Sequence, residues 1–308
     1  MKILLTGANG MVGKNILRLG QKRGVEFISP LRDELDLLKS QEVFSYLSKE
    51  KPDLVIHSAG IVGGIQANIS EPVKFLVENT QIGLNVITSA MNAGVKNLIN
   101  LGSSCMYPRN AQNPLTEEQI LTGELEPTNE GYALAKITAS RLCEYITNSN
   151  SKFNYKTIIP CNLYGYFDKF DPTNSHMIPA VIRKIHEAVI KNKNVIEIWG
   201  DGTARREFMF AEDLADFILF AIDRVDQMPQ NLNVGLGKDY SIKEYYDSVA
   251  RVIGFEGEFI YDLTKPVGMK QKLIDDSKLK AFGWEHSTTL EDGLSKTFQY
   301  YIREHTND

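Results

Sequence analysis

The stretch Lys2-Ile3-Leu4-Leu5-Thr6-Gly7-Ala8-Asn9-Gly10-Met11-Val12-Gly13 decides the fold of this chain. A short apolar run, Lys2–Leu5, reads as a strand. It breaks into three glycines spaced three apart, and apolar residues then recur at Val12, Ile16, Leu17 and Leu19 as on one face of a helix over Val12–Arg23. Each glycine has a separate reason to be there. Gly7 permits the tight turn, Gly10 lets backbone approach a pyrophosphate, and Gly13 allows close helix–strand packing. The first turn of the helix offers unpaired N–H groups and a positive dipole end to an anion. The stretch predicts a dinucleotide-binding unit.

Outward from it, apolar runs and amphipathic segments keep alternating. Strands are expected at Val25–Ser29, Leu54–His57, Leu98–Leu101 and Tyr155–Ile159, with helices at Ser40–Lys49, Val73–Asn92 and Tyr132–Asn148. This order predicts the α/β class: a doubly wound parallel sheet of the Rossmann type with helices on both faces. Past about Gly165 the segments become irregular, with Pro172, Pro179 and a polar run over Asp168–Ser175. Further helices are expected at Ile178–Lys191, Glu212–Asp223, Ser241–Gly254 and Leu290–His305. The division expected is a dinucleotide-binding domain over 1–165, with a return at about 206–235, and a smaller C-terminal substrate lobe over 166–308.

The 308 residues are 43% hydrophobic and 24% charged, as in an ordinary globular protein, and the net charge is −5. That balance gives no support to nucleic-acid or anionic-membrane binding. Cys105, Cys143 and Cys161 are odd in number and lack C-x-x-C spacing. Neither a disulfide framework nor a zinc knuckle fits, so no metal is expected and a reducing cytoplasm is the simplest setting. No run of about 20 apolar residues suggests a membrane span.

Two further patterns carry chemistry. Leu31-Arg32-Asp33-Glu34 follows the second strand, where an acidic residue suits the ribose 2′-hydroxyl of NAD and an arginine the 2′-phosphate of NADP. Arg32 is the more forward-placed, which favours NADP without excluding NAD. Tyr132-Ala133-Leu134-Ala135-Lys136 sets a phenol and an ammonium four apart on one helical face. The ammonium is expected to draw the phenol pKa toward neutrality, so that the pair can exchange a proton with an oxygen as hydride moves at its carbon. Ser103, just past the strand Leu98–Leu101, could hydrogen-bond the same oxygen.

Together with His57-Ser58-Ala59-Gly60, these residues resemble the extended short-chain dehydrogenase/reductases. More narrowly, Val62-Gly63-Gly64-Ile65, Gly102-Ser103-Ser104-Cys105-Met106-Tyr107-Pro108, Leu125-Glu126-Pro127-Thr128-Asn129-Glu130, Asn162-Leu163-Tyr164-Gly165, Asn174-Ser175-His176, Trp199-Gly200-Asp201-Gly202-Thr203 and Arg206-Glu207-Phe208 resemble the GDP-L-fucose synthase family. The resemblance implies a reductase triad of Ser103, Tyr132 and Lys136, with Cys105 and His176 moving protons at the carbons beside a 4-keto group. It implies cofactor contacts at Gly7, Asn9, Gly10, Met11, Val12, Arg32, Asp36, Leu37 and Ala59. It implies a GDP-linked 4-keto sugar held by Ser104, Asn162, Leu163, Met177, Arg183, Trp199, Arg206 and Lys272, and a homodimer formed through two long helices.

The sequence also departs from that family. Asn9 stands where an arginine often helps hold the 2′-phosphate; Gly131 and Tyr166 stand where prolines are usual; Lys184 replaces an arginine and Arg205 an apolar residue; Pro266-Val267-Gly268 lacks a polar residue. Gly131 and Tyr166 are expected beside the sugar, so three alternatives stay open. One is a C4 reductase of a GDP-4-keto heptose without epimerisation. Another is a 4-epimerase that retains NAD. The third is a non-catalytic dinucleotide sensor, although such a protein would be expected to lose Tyr132 or Lys136.

Overall fold

The computed structural model describes residues 1–171, 175–265 and 268–305. Asn174 of the Asn-Ser-His string and the Pro266-Val267 departure lie outside the described residues. In chain order the elements of the first part are β1 (Ile3–Thr6), α1 (Met11–Lys22), β2 (Phe27–Ile28), α2 (Ser40–Glu50), β3 (Leu54–His57), α3 (Ile65–Ser70), α4 (Pro72–Asn92), β4 (Asn97–Leu101), α5 (Glu130–Ser149) and β5 (Asn154–Pro160). There follow β6 (Asn162–Tyr164), α6 (Met177–Ile190), β7 (Val195–Trp199), β8 (Arg205–Arg206), β9 (Phe208–Phe210), α7 (Ala211–Ala221), β10 (Asn231–Val234), β11 (Tyr240–Ser241), α8 (Ile242–Ile253), β12 (Glu258–Asp262), β13 (Gln271–Lys272), α9 (Ser277–Phe282) and α10 (Leu290–His305).

The central sheet has six parallel strands in the order β10-β5-β4-β3-β1-β2. Every residue of β1 and β3 is buried, which is why these strands read as continuous apolar runs rather than alternating ones. One helical layer covers the sheet through a cluster including Val43, Leu47, Val86, Ile87, Ala139 and Ile146. The other face is closed by α1 and α7, with Ile16, Leu214 and Ile218 in its core. The second strand is shorter than its apolar stretch suggested, only Phe27–Ile28, because β2 is a sheet edge pairing at two positions of β1.

The return to the sheet is made by β10, whose Asn231–Val234 pairs Thr157–Pro160 of β5 in register. Between and after these strands, α6, α8 and α10 enclose a separate core of Ile178, Ile182, Ile185, Tyr245, Val249 and Leu294. Three small sheets complete it: β11-β8-β13, β12-β7 and β6-β9. Parallel strands bring their carboxyl ends to one edge, so Thr6, His57, Leu101 and Pro160 all end at the side where a doubly wound sheet takes its ligand.

Candidate active site

The turn after β1 is shaped so that side chains are excluded from it. Gly7 has φ +75°, and a Cβ there would stand 2.6 Å from the Ala59 nitrogen. A Cβ at Gly13 would stand 2.3 Å from the Gly7 carbonyl oxygen, while the Gly10 N–H donates to that oxygen at 3.0 Å. These contacts leave bare backbone at the start of α1, as a dinucleotide pyrophosphate requires. Behind it the Thr6 hydroxyl and His57 Nδ1 lie 2.8 Å apart in the buried interior. Burial, with a lesser push from Lys136, lowers the His57 pKa to about 3, so the ring is neutral.

One cavity of about 1110 Å³ runs from this turn to the second lobe. The residues expected from sequence to act on cofactor, substrate or protons line it: the glycine turn with Asn9, Met11 and Val12; Arg32, Asp36, Leu37 and Ala59; Ser103, Ser104, Cys105, Tyr132 and Lys136; and Asn162, Leu163, His176, Met177, Arg183, Trp199, Arg206 and Lys272. A smaller cavity of about 570 Å³ continues it past Asn9, Arg32 and Asp36 to Lys39 and Glu42.

Tyr132 and Lys136 project from the first turns of α5. The Lys136 ammonium donates to the Leu101 carbonyl oxygen at 2.7 Å and lies 5.7 Å from the Tyr132 ring centroid. Burial lowers its pKa to about 8. The phenol goes the other way from the sequence expectation. Burial, and then the neighbouring Cys105, raise the Tyr132 pKa, and the hydrogen-bonding Ser103 hydroxyl opposes them only in part. Desolvation dominates, so the phenol is held protonated, which is the state a proton donor needs.

Ser103 opens a single 3-10 turn over Ser104–Met106, its hydroxyl accepting from the Cys105 N–H at 3.3 Å. Cys105 is buried, and burial raises its thiol pKa against the pull of Lys272, Ser103 and Lys136. His176 caps the start of α6. It is exposed and lines the cavity, and desolvation by the surrounding protein, with Lys169, lowers its pKa. The cavity therefore holds a neutral thiol and a neutral imidazole.

In the second lobe Arg206 of β8 and Lys272 of β13 are register partners on adjacent strands. Trp199, at the end of β7, is 50% exposed and stacks with the Lys265 ammonium at 5.6 Å, so it is no core residue. Arg183 is held by Glu187 at 2.7 Å and by the Phe170 carbonyl oxygen at 3.2 Å. Asn162 donates to the Glu207 carbonyl oxygen at 3.0 Å.

Several lining residues were not picked out in the sequence. Lys184 lines the cavity and donates to the Glu197 carbonyl oxygen at 2.5 Å; its replacing an arginine was the available signal. Asn68 also lines it, donating to the carbonyl oxygens of Gly63 and Gly64, both at 3.0 Å. Neither Gly131 nor Tyr166, by contrast, faces the cavity. A Cβ at Gly131 would meet the Pro72 carbonyl oxygen at 3.0 Å and Leu76 at 3.2 Å. Tyr166 packs on Phe210, Tyr300 and Arg18. Their departures from the family belong to helix packing, and they give no reason for a changed sugar. Arg205 pairs with Asp239 at 2.8 Å.

Among the described residues no helix is long and apolar enough to cross a membrane, and no group of histidine, cysteine and carboxylate side chains could hold a metal ion. The three cysteines are free and buried.

Comparison with known proteins agrees with this architecture. The chain is 60% identical to GDP-L-colitose synthase of Yersinia pseudotuberculosis over 100% of both chains. It is 51% identical to GDP-L-fucose synthase of Azorhizobium caulinodans over 98% of this chain and 96% of that protein. Among solved structures, a GDP-6-OMe-4-keto-L-xylo-heptose reductase from C. jejuni superposes with a TM-score of 0.91 at 32% identity, covering 99% of this chain and 98% of that one. Residues 3–235 match the NAD dependent epimerase/dehydratase family, and the chain belongs to that family, on the branch that holds the GDP-L-fucose synthases.

Proposed function

We propose that this protein uses NADPH to reduce the 4-keto group of a GDP-linked 4-keto-6-deoxy sugar, after inverting a carbon beside that carbonyl. The observation that carries the reading is that Cys105 and His176 line the same cavity as Ser103, Tyr132 and Lys136. NADPH, when bound, supplies the hydride. Gly7, Gly10 and Gly13 leave backbone for its pyrophosphate, and Arg32, with Lys39 nearby, offers cations for its 2′-phosphate. Relatives solved with NADPH or NADP support that choice.

The residues divide the work. A carbonyl acidifies the C–H bonds beside it, so one member of the Cys105–His176 pair removes such a proton and the other returns one on the opposite face. Tyr132, held protonated by burial, donates its proton to the C4 oxygen as that oxygen gains negative charge. Ser103 hydrogen-bonds the same oxygen, and Lys136 stabilises the phenolate that remains. Arg206 and Lys272 grip the diphosphate, while the indole of Trp199 stacks on the base.

The 60% identical relative favours one variant of this reading. Colitose is a 3,6-dideoxy sugar without a C3 hydroxyl, so its synthesis needs inversion at C5 alone. NADPH oxidation measured in deuterated water with GDP-4-keto-6-deoxymannose, its 3-deoxy analogue and a GDP-4-keto heptose tests both. Turnover of a hexose with deuterium at C5 is expected. No oxidation with any of the three overturns the substrate assignment, and turnover without deuterium at C3 or C5 removes the epimerase half.

The assembly expected is a homodimer through α4 and α5. These helices pack together and turn outward Val73, Val77 and Leu84 on one, Leu134 and Tyr145 on the other, each 38–72% exposed. Sedimentation at micromolar concentration tests it; a monomer there rejects it. The free cysteines suit a reducing cytoplasm.

A further inference from the structure

The sheet β11-β8-β13 has strands only two residues long, yet it sets Arg206 and Lys272 side by side in parallel register. Register partners leave a sheet on the same face, and both line the cavity. The pair resists being held there. Burial lowers the pKa of each, and the Arg206 charge adds to the depression at Lys272. A ladder so short supplies few hydrogen bonds to keep two cations adjacent.

Glu207 supplies the missing bonds. Its side chain is fully buried, at 0% exposure. Oε1 accepts from the Leu236 N–H at 2.5 Å and the Gly237 N–H at 3.0 Å, and Oε2 accepts from the Ile274 N–H at 2.9 Å. One carboxyl group thus ties the junction of β8 and β9 to the turn after β10 and to the chain two residues past Lys272. Gly235 makes room for it, since a Cβ there would stand 2.4 Å from Oε1. Burial pushes the Glu207 pKa up to about 7, and the three N–H groups draw it back. The carboxylate acting on the charges of both Arg206 and Lys272 is Glu126, not Glu207. Glu207 therefore fixes the backbone beneath the two cations without neutralising them.

We propose that Glu207 is the positioning residue of the diphosphate clamp: it locks β13 onto β8 so that Arg206 and Lys272 meet a nucleoside diphosphate at a fixed separation. This rests on the GDP-sugar reading above. Calorimetric titration with GDP, and separately with NADP⁺, tests it on the wild type, Glu207→Gln and Gly235→Ala, the last pushing a methyl group at Oε1 while leaving the carboxyl in place. Each variant is expected to weaken GDP about tenfold, as loss of a charge-assisted bond does, and to leave NADP⁺ within about twofold. In a Lys272→Ala background Glu207→Gln should cost less than about threefold, because the two act on one clamp. Unchanged GDP affinity, NADP⁺ weakened in step, or loss of a cooperative melt in both variants overturns the proposal. A wild type that binds no GDP at all instead brings down the GDP-sugar reading.

Discussion

Lys136 reaches from α5 to the end of β4, where its ammonium donates to the Leu101 carbonyl oxygen at 2.7 Å. That bond pins the catalytic helix to the sheet beside Ser103, and it draws a charged group into a buried place. The shift of its pKa from 10.5 to about 8 corresponds to about 3 kcal/mol against the charged form.

The sign of that effect gives a first prediction. A lysine with a depressed folded pKa destabilises the fold fully below about pH 8, and the penalty fades as pH rises toward 10.5. Lys136→Met should therefore gain most in melting temperature relative to wild type at pH 7 to 8, and less at each step toward pH 10.5. A difference that stays constant with pH would show that the ammonium is not strained. Reductase turnover should be lost in the variant.

Tyr132→Phe should keep the fold and NADP⁺ affinity while lowering turnover by about 10²- to 10⁴-fold, the range for a lost general acid. Because burial raises the phenol above its ordinary value of 10.0, wild-type turnover should not lose its acid below that pH. Stopped-flow NADPH oxidation across pH measures both. Full turnover in the phenylalanine variant would remove Tyr132 from the mechanism.

Cys105 is raised from 9.0 and His176 lowered from 6.5, so the pair keeps one transferable proton across at least that interval. We predict solvent deuterium uptake into the sugar that is flat between pH 6.5 and 9. Cys105→Ser and His176→Asn should each abolish inversion yet still reduce a sugar already inverted. A titration limb inside the interval, or inversion surviving either substitution, argues against the assignment.

Gly131→Pro, which installs the residue usual in the family, should leave the ratio of turnover on deoxyhexose and heptose substrates unchanged. The position meets Pro72 and Leu76 of α4 rather than the cavity. Its cost should appear as a lower melting temperature, about 1–3 kcal/mol for an overpacked contact. A shift in sugar preference would show that the helix contact reaches the substrate.

The strands buried on both faces were legible because burial on both sides favours an unbroken apolar run: Leu54-Val55-Ile56 leads into His57, and Leu54–His57 is found with its expected bounds. The glycine turn was legible for a related reason, since Gly7 and Gly13 admit no Cβ. The two-residue strands β8, β11 and β13 were not, as two residues carry no period. Nor was the return at Asn231–Val234 visible as a strand; its pairing with β5 is set by contacts about 74 residues away in sequence. Motif strings brought the lining residues to notice, but not which way each neutral or charged form is driven. Tyr132 shows why: spacing on a helix reveals the ammonium nearby, whereas the water excluded by the fold has no sequence signature.

The position of β10 has a consequence for how the chain is made. β5 is an inner strand only because residues 231–234 come back to cover it. During synthesis from the amino terminus, a nascent chain that has emerged as far as residue 165 holds five of the six strands, with Asn154–Pro160 as a bare strand edge. Such an edge is a template for pairing with another chain. Vulnerability to misassembly on the ribosome is therefore concentrated in the interval between the emergence of β5 and that of β10, and a truncation within it should aggregate where one just past Val234 need not.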